Sequence, residues 1–247
     1  MTNLSVCIIT KDEEVNIKAC LETISWANEI IIIDSESIDK TVEICRAYTN
    51  KILVTKYKGC GPQKKQALEM ATCDWVLILD ADERVSKELK LEIQDTIKSP
   101  KYDAYSIPFQ TYYCGKALRF GDWLNERHIR LIKRDKNTIV PRIVHFRIET
   151  LGTVGKLKNK ILHYSFPTLD KVIQKMNTYS TDGALHKLQQ GKTAGLFTAI
   201  AHGMFAFIRG YILKLGFLDG KEGFMLAVSN AEGSYYRYLK LAYLTKQ

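Results

Sequence analysis

The chain has 247 residues, long enough to bury one large core or a core with an appended segment. Hydrophobic residues make up 46% and charged residues 26%, which excludes wholesale disorder. Charge is split: residues 1–100 hold 13 Lys+Arg against 17 Asp+Glu, a net −4. The remaining 147 hold 23 against 10, a net +13, pointing to an anionic partner or a solvated basic face.

Leu4–Ile9 is an apolar, β-branched run, expected as a strand buried on both faces. The polar cluster Thr10–Glu14 follows, then Val15, Ile17, Leu21 and Ile24 at helical spacing. Ile30–Ile33 reads as a second strand, ending in Asp34-Ser35-Glu36-Ser37. A helix is expected over Thr41–Tyr48, with Asp39 capping its start. Ile52–Val54 makes a third strand, and Gly59-Cys60-Gly61-Pro62 a turn. Pro62 then suits the first position of a helix over Gln63–Met70. Trp75–Leu79 is a fourth strand running into Asp80-Ala81-Asp82-Glu83, and Lys87–Ile97 a charged amphipathic helix.

Strands alternating with helices predict an α/β fold with parallel crossovers and helices on both faces of the sheet. Three of the four strands end in polar or acidic clusters, and in such sheets ligands bind beyond the carboxyl ends. Asp80 and Asp82 flank one small residue, so a turn at Ala81 brings both carboxylates to one ligand. Hard oxygen ligands that leave coordination positions open suit Mg²⁺ or Mn²⁺ bridging a diphosphate. Neither a Gly-x-x-x-x-Gly-Lys-Ser/Thr loop nor a Gly-x-Gly-x-x-Gly after the first strand is present, which weakens ATPase and NAD readings. Cys7, Cys20, Cys45, Cys60, Cys73 and Cys114 form no C-x-x-C pair. With no signal-peptide pattern at the N-terminus, they are expected reduced, in cytoplasm.

Four stretches together resemble the family-2 glycosyltransferases of the GT-A fold. They are Ser5–Glu13, Ile33–Thr41, Gln63–Leu68 and Trp75–Glu83, in order across residues 4–85. The resemblance implies a Rossmann-like, mostly parallel mixed sheet flanked by helices, binding a nucleotide-sugar donor, with a UDP-sugar expected. Thr10 and Glu13 would border the nucleotide, Asp34 would contact uracil or ribose, and Lys64 would lie near the base or diphosphate. Asp80 would touch ribose and metal, and Asp82 would ligate the cation. Glu36 departs from the pattern, standing where relatives usually carry glycine.

Further stretches resemble the subgroup that builds lipopolysaccharide inner cores: Trp123–Leu131, Val144-His145, Val154–Leu157, Leu162–Phe166, Lys175–Ser180 and Gly216–Gly220. That subgroup implies a β-1,4-glucosyltransferase, using UDP-glucose, acting on a lipid-linked saccharide. An inverting transfer needs one carboxylate to take the acceptor proton. Asp122, Glu126 and Glu149 are the candidates, with Glu126 favoured because relatives have Asp beside an Arg there. His145 is typically followed by Glu in the subgroup; here Phe146 follows. His145 and His163 are candidates for lining the acceptor or diphosphate pocket, assigned to acceptor binding, and Arg130 is a candidate for neutralising the diphosphate.

Residues 1–100 are therefore expected to form the donor half and 101–185 the acceptor half of one GT-A domain. Residues 186–247 are expected to form a helical, membrane-associated extension. Leu196–Leu215 reads as an amphipathic helix whose nearly uncharged section is interrupted by His202 and Arg209 before Lys214, interfacial rather than spanning. Arg209, Lys214 and the basic half suit an anionic membrane surface, which places the protein on the inner face of the plasma membrane. Two alternatives are a same-fold transferase for capsule or another glycolipid, and a nucleic-acid-binding module using the basic half. Only Tyr235-Tyr236-Arg237-Tyr238 speaks for nucleic acid, and no recognised motif accompanies it.

Overall fold

The computed structural model describes residues 3–123, 126–141 and 146–245. The chain divides into two compact units, one of residues 1–109 and 126–163, the other of residues 110–125 and 164–247.

The first unit is organised by β1 (Leu4–Thr10), β2 (Glu29–Asp34), β3 (Ile52–Val54) and β4 (Trp75–Asp80). β2 and β4 flank β1 in parallel, and β3 pairs parallel with β2. The expected crossovers are there: α1 (Ile17–Ile24), α2 (Thr41–Arg46) and α3 (Cys60–Met70) connect these strands. After β5 (Glu83–Val85) and α4 (Lys87–Lys98), β6 (Ala104–Tyr113) pairs antiparallel with β8 (Arg127–Lys133), which in turn pairs antiparallel with β4. The sheet is thus mixed but mostly parallel where the acidic clusters lie.

Period-2 alternation splits the strand side chains between two cores. Val6, Ile8, Ile32, Leu77 and Leu79 pack with Ile17, Leu21 and Ile24 of α1 and with Leu89 and Ile93 of α4. Cys7, Ile31, Ile33, Val76 and Ile78 pack with Ala67 and Leu68 of α3. This two-sided burial explains why the strands read as unbroken apolar runs. All six cysteines are unpaired.

Local chemistry sets the helix ends. Ser86 caps α4 through its hydroxyl, which accepts from Leu89 N at 3.1 Å. Asp39 accepts from Thr41 N (2.9 Å) and also from Glu14 N (3.0 Å), so it braces two loops as well as the start of α2. α3 begins two residues before Pro62, which therefore sits inside its first turn, where a missing N–H costs nothing.

β7 (Lys116–Ala117), β9 (Asn137–Pro141), β10 (Phe146–Thr150), β11 (Val154–Lys156) and β12 (Ile161–Phe166) complete the strands. β9 and β10 form an antiparallel pair, and β12 pairs antiparallel with β5, setting His163 opposite Glu83.

The second unit is mainly helical: α5 (Leu169–Gln189), α6 (Leu196–Phe207) and α7 (Gly220–Leu244). The single helix expected over Leu196–Leu215 is instead α6, a wider π-helical turn over Ile208–Leu213, and a stop at Leu215 in the left-handed region (φ 58°). The wide turn carries Gly210 and lets Arg209 reach Asp122, the kind of local adjustment associated with such bulges. Close packing requires glycine at two positions here. A Cβ on Gly216 would meet the Gly210 carbonyl oxygen at 2.6 Å, and one on Gly223 would meet the Gly216 carbonyl oxygen at 2.0 Å.

Candidate active site

Register brings three strand ends together. Thr10 lies opposite Asp34, and Ile9 opposite Asp80, so the three polar clusters share the carboxyl edge of the sheet. Asp34 is fully buried and accepts from Ser37 N (2.8 Å) and Ser37 Oγ (2.5 Å). Asp12 N donates to Ser37 Oγ and Glu13 N to Thr41 Oγ1, both at 2.8 Å, tying the first loop to the second. Glu36 keeps the glycine-like turn at the cost of a left-handed backbone (φ 57°). Buried Thr10 Oγ1 has no partner, and a buried hydroxyl facing that edge is chemically suited to a ligand.

The carboxylates after β4 sit in a network of buried charges. Lys64 Nζ, on α3, lies 2.6 Å from Asp80 Oδ1, and its other side faces the Phe146 ring at 4.3 Å. Phe146, where the subgroup has Glu, thus supplies a cation–π contact in place of a second carboxylate. Arg130 Nη2, from β8, donates to Asp80 Oδ2 at 3.2 Å and to Glu83 Oε1 at 2.6 Å. Glu83 is fully buried, and its other oxygen accepts from Asp80 N at 2.9 Å. His163 Nε2 lies 3.4 Å from Asp82 Oδ2.

These contacts set the protonation states. Burial works against ionisation of Asp80, but Lys64 and Arg130 hold its carboxyl far below the usual range. Burial pushes Glu83 up, partly offset by Arg130. Burial lowers Lys64 despite Asp80 beside it. For His163, burial favours the neutral ring, yet Asp82 prevails and raises its pKa.

The three base candidates end in different places. Asp122 lies in the second unit, bonded by Arg209 (2.9 Å to each oxygen), Lys214 (3.1 Å) and Asn230 (3.2 Å). Burial opposes its charge, but those cations lower its pKa. Glu149 is exposed on β10, its neighbour Ile148 filling the core side. Glu126 Oε1 lies 2.9 Å from His128 Nε2, and that hydrogen bond lowers its pKa, with His163 and Arg130 adding to the effect. His145 lies outside the described residues.

Asp82 and His163 face each other across 3.4 Å, and a carboxylate and an imidazole so close together could both turn to a divalent cation, if one were bound. Among the described residues no group of three or more His, Cys, Asp or Glu side chains is arranged to hold a metal by itself. Asp80 is already committed to two cations. The sequence marks Phe146 only as a departure from the subgroup pattern and Glu83 only as the end of the acidic run, and neither is expected there as a site residue. Glu83 adjoins the Asp80–Asp82 pair, but its burial against Arg130 depends on a contact 47 residues away in sequence.

A mostly parallel sheet presenting clustered acids at its carboxyl edge is the GT-A type of glycosyltransferase fold. Solved structures agree: S. aureus TarS 1–349 matches over 100% of this chain and 92% of its own, at 16% identity and a TM-score of 0.50. Residues 5–153 match glycosyl transferase family 2, and the chain belongs to that family. Its relatives include the lipopolysaccharide core biosynthesis glycosyltransferase LpsC of Rhizobium meliloti, 28% identical over 97% of this chain and 90% of the relative. An uncharacterized glycosyltransferase of Rickettsia typhi, RT0209, is 28% identical over 99% of this chain and 88% of its own.

Proposed function

We propose that this glycosyltransferase is an inverting hexosyltransferase that moves glucose from UDP-glucose to a lipid-linked saccharide of the lipopolysaccharide inner core. The observation carrying the donor reading is the convergence of Thr10, Asp34, Asp80 and Asp82 at one sheet edge, with Asp80 held ionised by Lys64 and Arg130. The name of the LpsC relative supports the acceptor class, and TarS, of the same fold, has been solved with UDP-GlcNAc.

In this reading residues 1–100 bind the donor and residues 101–185 the acceptor. Asp34 takes the uracil or ribose, with Thr10 and Glu13 bordering the nucleotide. Lys64 and Arg130 act chiefly by fixing Asp80, since both are buried and turned onto it. Mg²⁺ or Mn²⁺ would be held by Asp82 with His163. When bound it would neutralise negative charge on the departing diphosphate. Glu126 is the proposed base: Oε1 is anchored by His128, leaving Oε2 to accept the acceptor hydroxyl proton as the sugar–diphosphate bond breaks and the glycosidic bond forms. Burial of His163 beside Asp82 leaves it close to the donor end rather than deep in an acceptor pocket.

Residues 186–247 are the proposed membrane-facing part, which would hold the protein on the cytoplasmic face of the membrane. Leu196–Leu213 is long and apolar enough to cross a membrane, with a mean hydropathy of 1.5. The Arg209–Asp122 pair fits an interfacial position better. The tyrosines of residues 235–238 support helix packing more than base stacking: Tyr238 lies flat on His202 at 3.8 Å.

The test is thermal stabilisation and donor hydrolysis across a panel of nucleotide sugars, with and without Mn²⁺ or Mg²⁺. Metal-dependent stabilisation by UDP-glucose over GDP- and CMP-sugars, lost in Asp82→Ala, is expected. Stabilisation by none of the donors, or an unchanged response in Asp82→Ala, overturns the reading.

A further inference from the structure

The helical unit carries a cavity that the donor chemistry does not use. It has a volume of about 650 Å³, and its lining includes Asp122, Arg209, Lys214 and Arg237 beside the Trp123 and Phe166 rings. Those two rings stack at 5.2 Å. Three cations meet one carboxylate, so the lining has a net charge of +2. Asp122 satisfies Arg209 and Lys214, but Arg237 has no hydrogen-bond or ion-pair partner among the described residues, and its Nε is buried. Lys240, one turn further along α7, shows the contrast, bonded to Asn177, Ser180 and Thr181. A buried guanidinium Nε without a partner is costly, and the planar fork of Arg237, itself only partly buried, matches phosphate oxygens.

The surface beside the cavity is built inside out for a protein in water. α6 and the turn after it bury their small residues, Ala199, Gly203, Ala206 and Gly210, at spacings of four, three and four. Gly203 is needed for that approach, because a Cβ there would stand 3.1 Å from Tyr235 Cβ. The large apolar side chains point outward: Phe197 is 86% exposed, Met204 62% and Leu213 65%. A water-facing helix buries its large residues. Small residues inward and large ones outward is the packing of helices whose surroundings are hydrocarbon. From residue 183 to residue 218 there is no Asp or Glu, while Lys187, Lys192, Arg209 and Lys214 are present. That charge pattern complements an anionic lipid surface.

We propose that this cavity is a binding site for the phosphate headgroup of an anionic membrane lipid, gripped by Arg237, with its acyl chains against the outward apolar face of α6. The proposal rests on the membrane-facing part of the function proposed above. It adds a specific headgroup site to what would otherwise be adsorption by an apolar face.

The full chain is floated with vesicles of phosphatidylcholine alone and of phosphatidylcholine mixed with phosphatidylglycerol. Preference for the mixed vesicles is expected, with a loss of about tenfold in affinity for Arg237→Gln, as removal of one charged hydrogen-bonding partner implies. Arg237→Lys, which keeps the charge, should retain most of the binding, and both variants should melt with the wild type. Should Arg237→Gln melt lower, its flotation is repeated at a temperature where it remains folded: lost preference there upholds the site, retained preference overturns it. Equal binding of Arg237→Gln and wild type to mixed vesicles overturns the headgroup site and leaves membrane association standing. Binding to neither vesicle overturns the membrane reading itself. Inorganic phosphate separates the sources: thermal stabilisation by millimolar phosphate that is lost in Arg237→Gln, together with no preference of the wild type for mixed vesicles, assigns the cavity to a soluble phosphorylated ligand and overturns the lipid.

Discussion

Replacing Arg130 with Met tests whether the buried charge network is structural as well as functional. Arg130 and Glu83 are both buried, with Nη2 2.6 Å from Glu83 Oε1 and 3.2 Å from Asp80 Oδ2. Methionine preserves much of the stem and its contact with Phe109, 5.2 Å from the guanidinium, while removing the charge. Removing one partner of a buried pair costs roughly 3–5 kcal/mol, because the other charge is left without compensation. Two features here favour the lower end. Burial already pushes the Glu83 carboxyl up, so it relieves the loss by taking a proton, and Asp80 keeps Lys64. The expected cost is about 3 kcal/mol at neutral pH, or about 6–12 °C in Tm for a chain of this size. The deficit should shrink on acidification as Glu83 protonates. Urea unfolding of wild type, Arg130→Met, Glu83→Gln and the double variant closes a cycle, which should return a coupling of at least about 1 kcal/mol. A loss below about 1 kcal/mol for Arg130→Met, or strict additivity, would refute the argument that the pair holds this edge together.

Glu29 offers a pH test away from the site. Burial alone would raise its pKa, but bonds from Lys51, Ser5 and Thr72 hold it at about 2. Its stabilisation is therefore complete above the unfolded value near 4.5 and disappears as pH falls through about 2. Glu29→Gln should cost roughly 2–3 kcal/mol at pH 7 and progressively less in acid; a pH-independent difference in urea melts counts against this. Glu126→Gln should lower kcat by roughly 10²–10⁴ with donor binding intact, whereas Asp122→Asn should chiefly lower thermal stability. A kcat collapse confined to Asp122→Asn would transfer the base role. Gly223→Ala should destabilise by about 1–3 kcal/mol through its clash with the Gly216 carbonyl, read by thermal melting; a neutral result would show that the backbone there yields.

The alternation of β1 to β4 with α1 to α3, and α4 after them, was legible because β1, β2 and β4 are buried on both faces and α1 and α4 each carry an apolar stripe. Local periodicity encodes both, whereas the three-residue β5 was not expected. The polar ends of β1, β2 and β4 were legible for the same reason, since the topology of parallel crossovers aligns them. What no local pattern contained were the contacts made across long separations. Arg130 reaches Glu83, Phe146 covers Lys64, and the pairing of β12 with β5 delivers His163 to Asp82. A sequence shows that a residue is charged, but only tertiary structure decides which opposite charge shares its desolvation. Asp122 and Glu126 illustrate this: two acids four residues apart, one bonded to Arg209 on a distant helix and one to His128 on the adjoining strand. Leu196–Leu215 makes the same point for apolar residues, because its composition announced an amphipathic helix. Which face turned inward was decided by the glycines and alanines that let α6 approach α7 closely, leaving the large side chains outside.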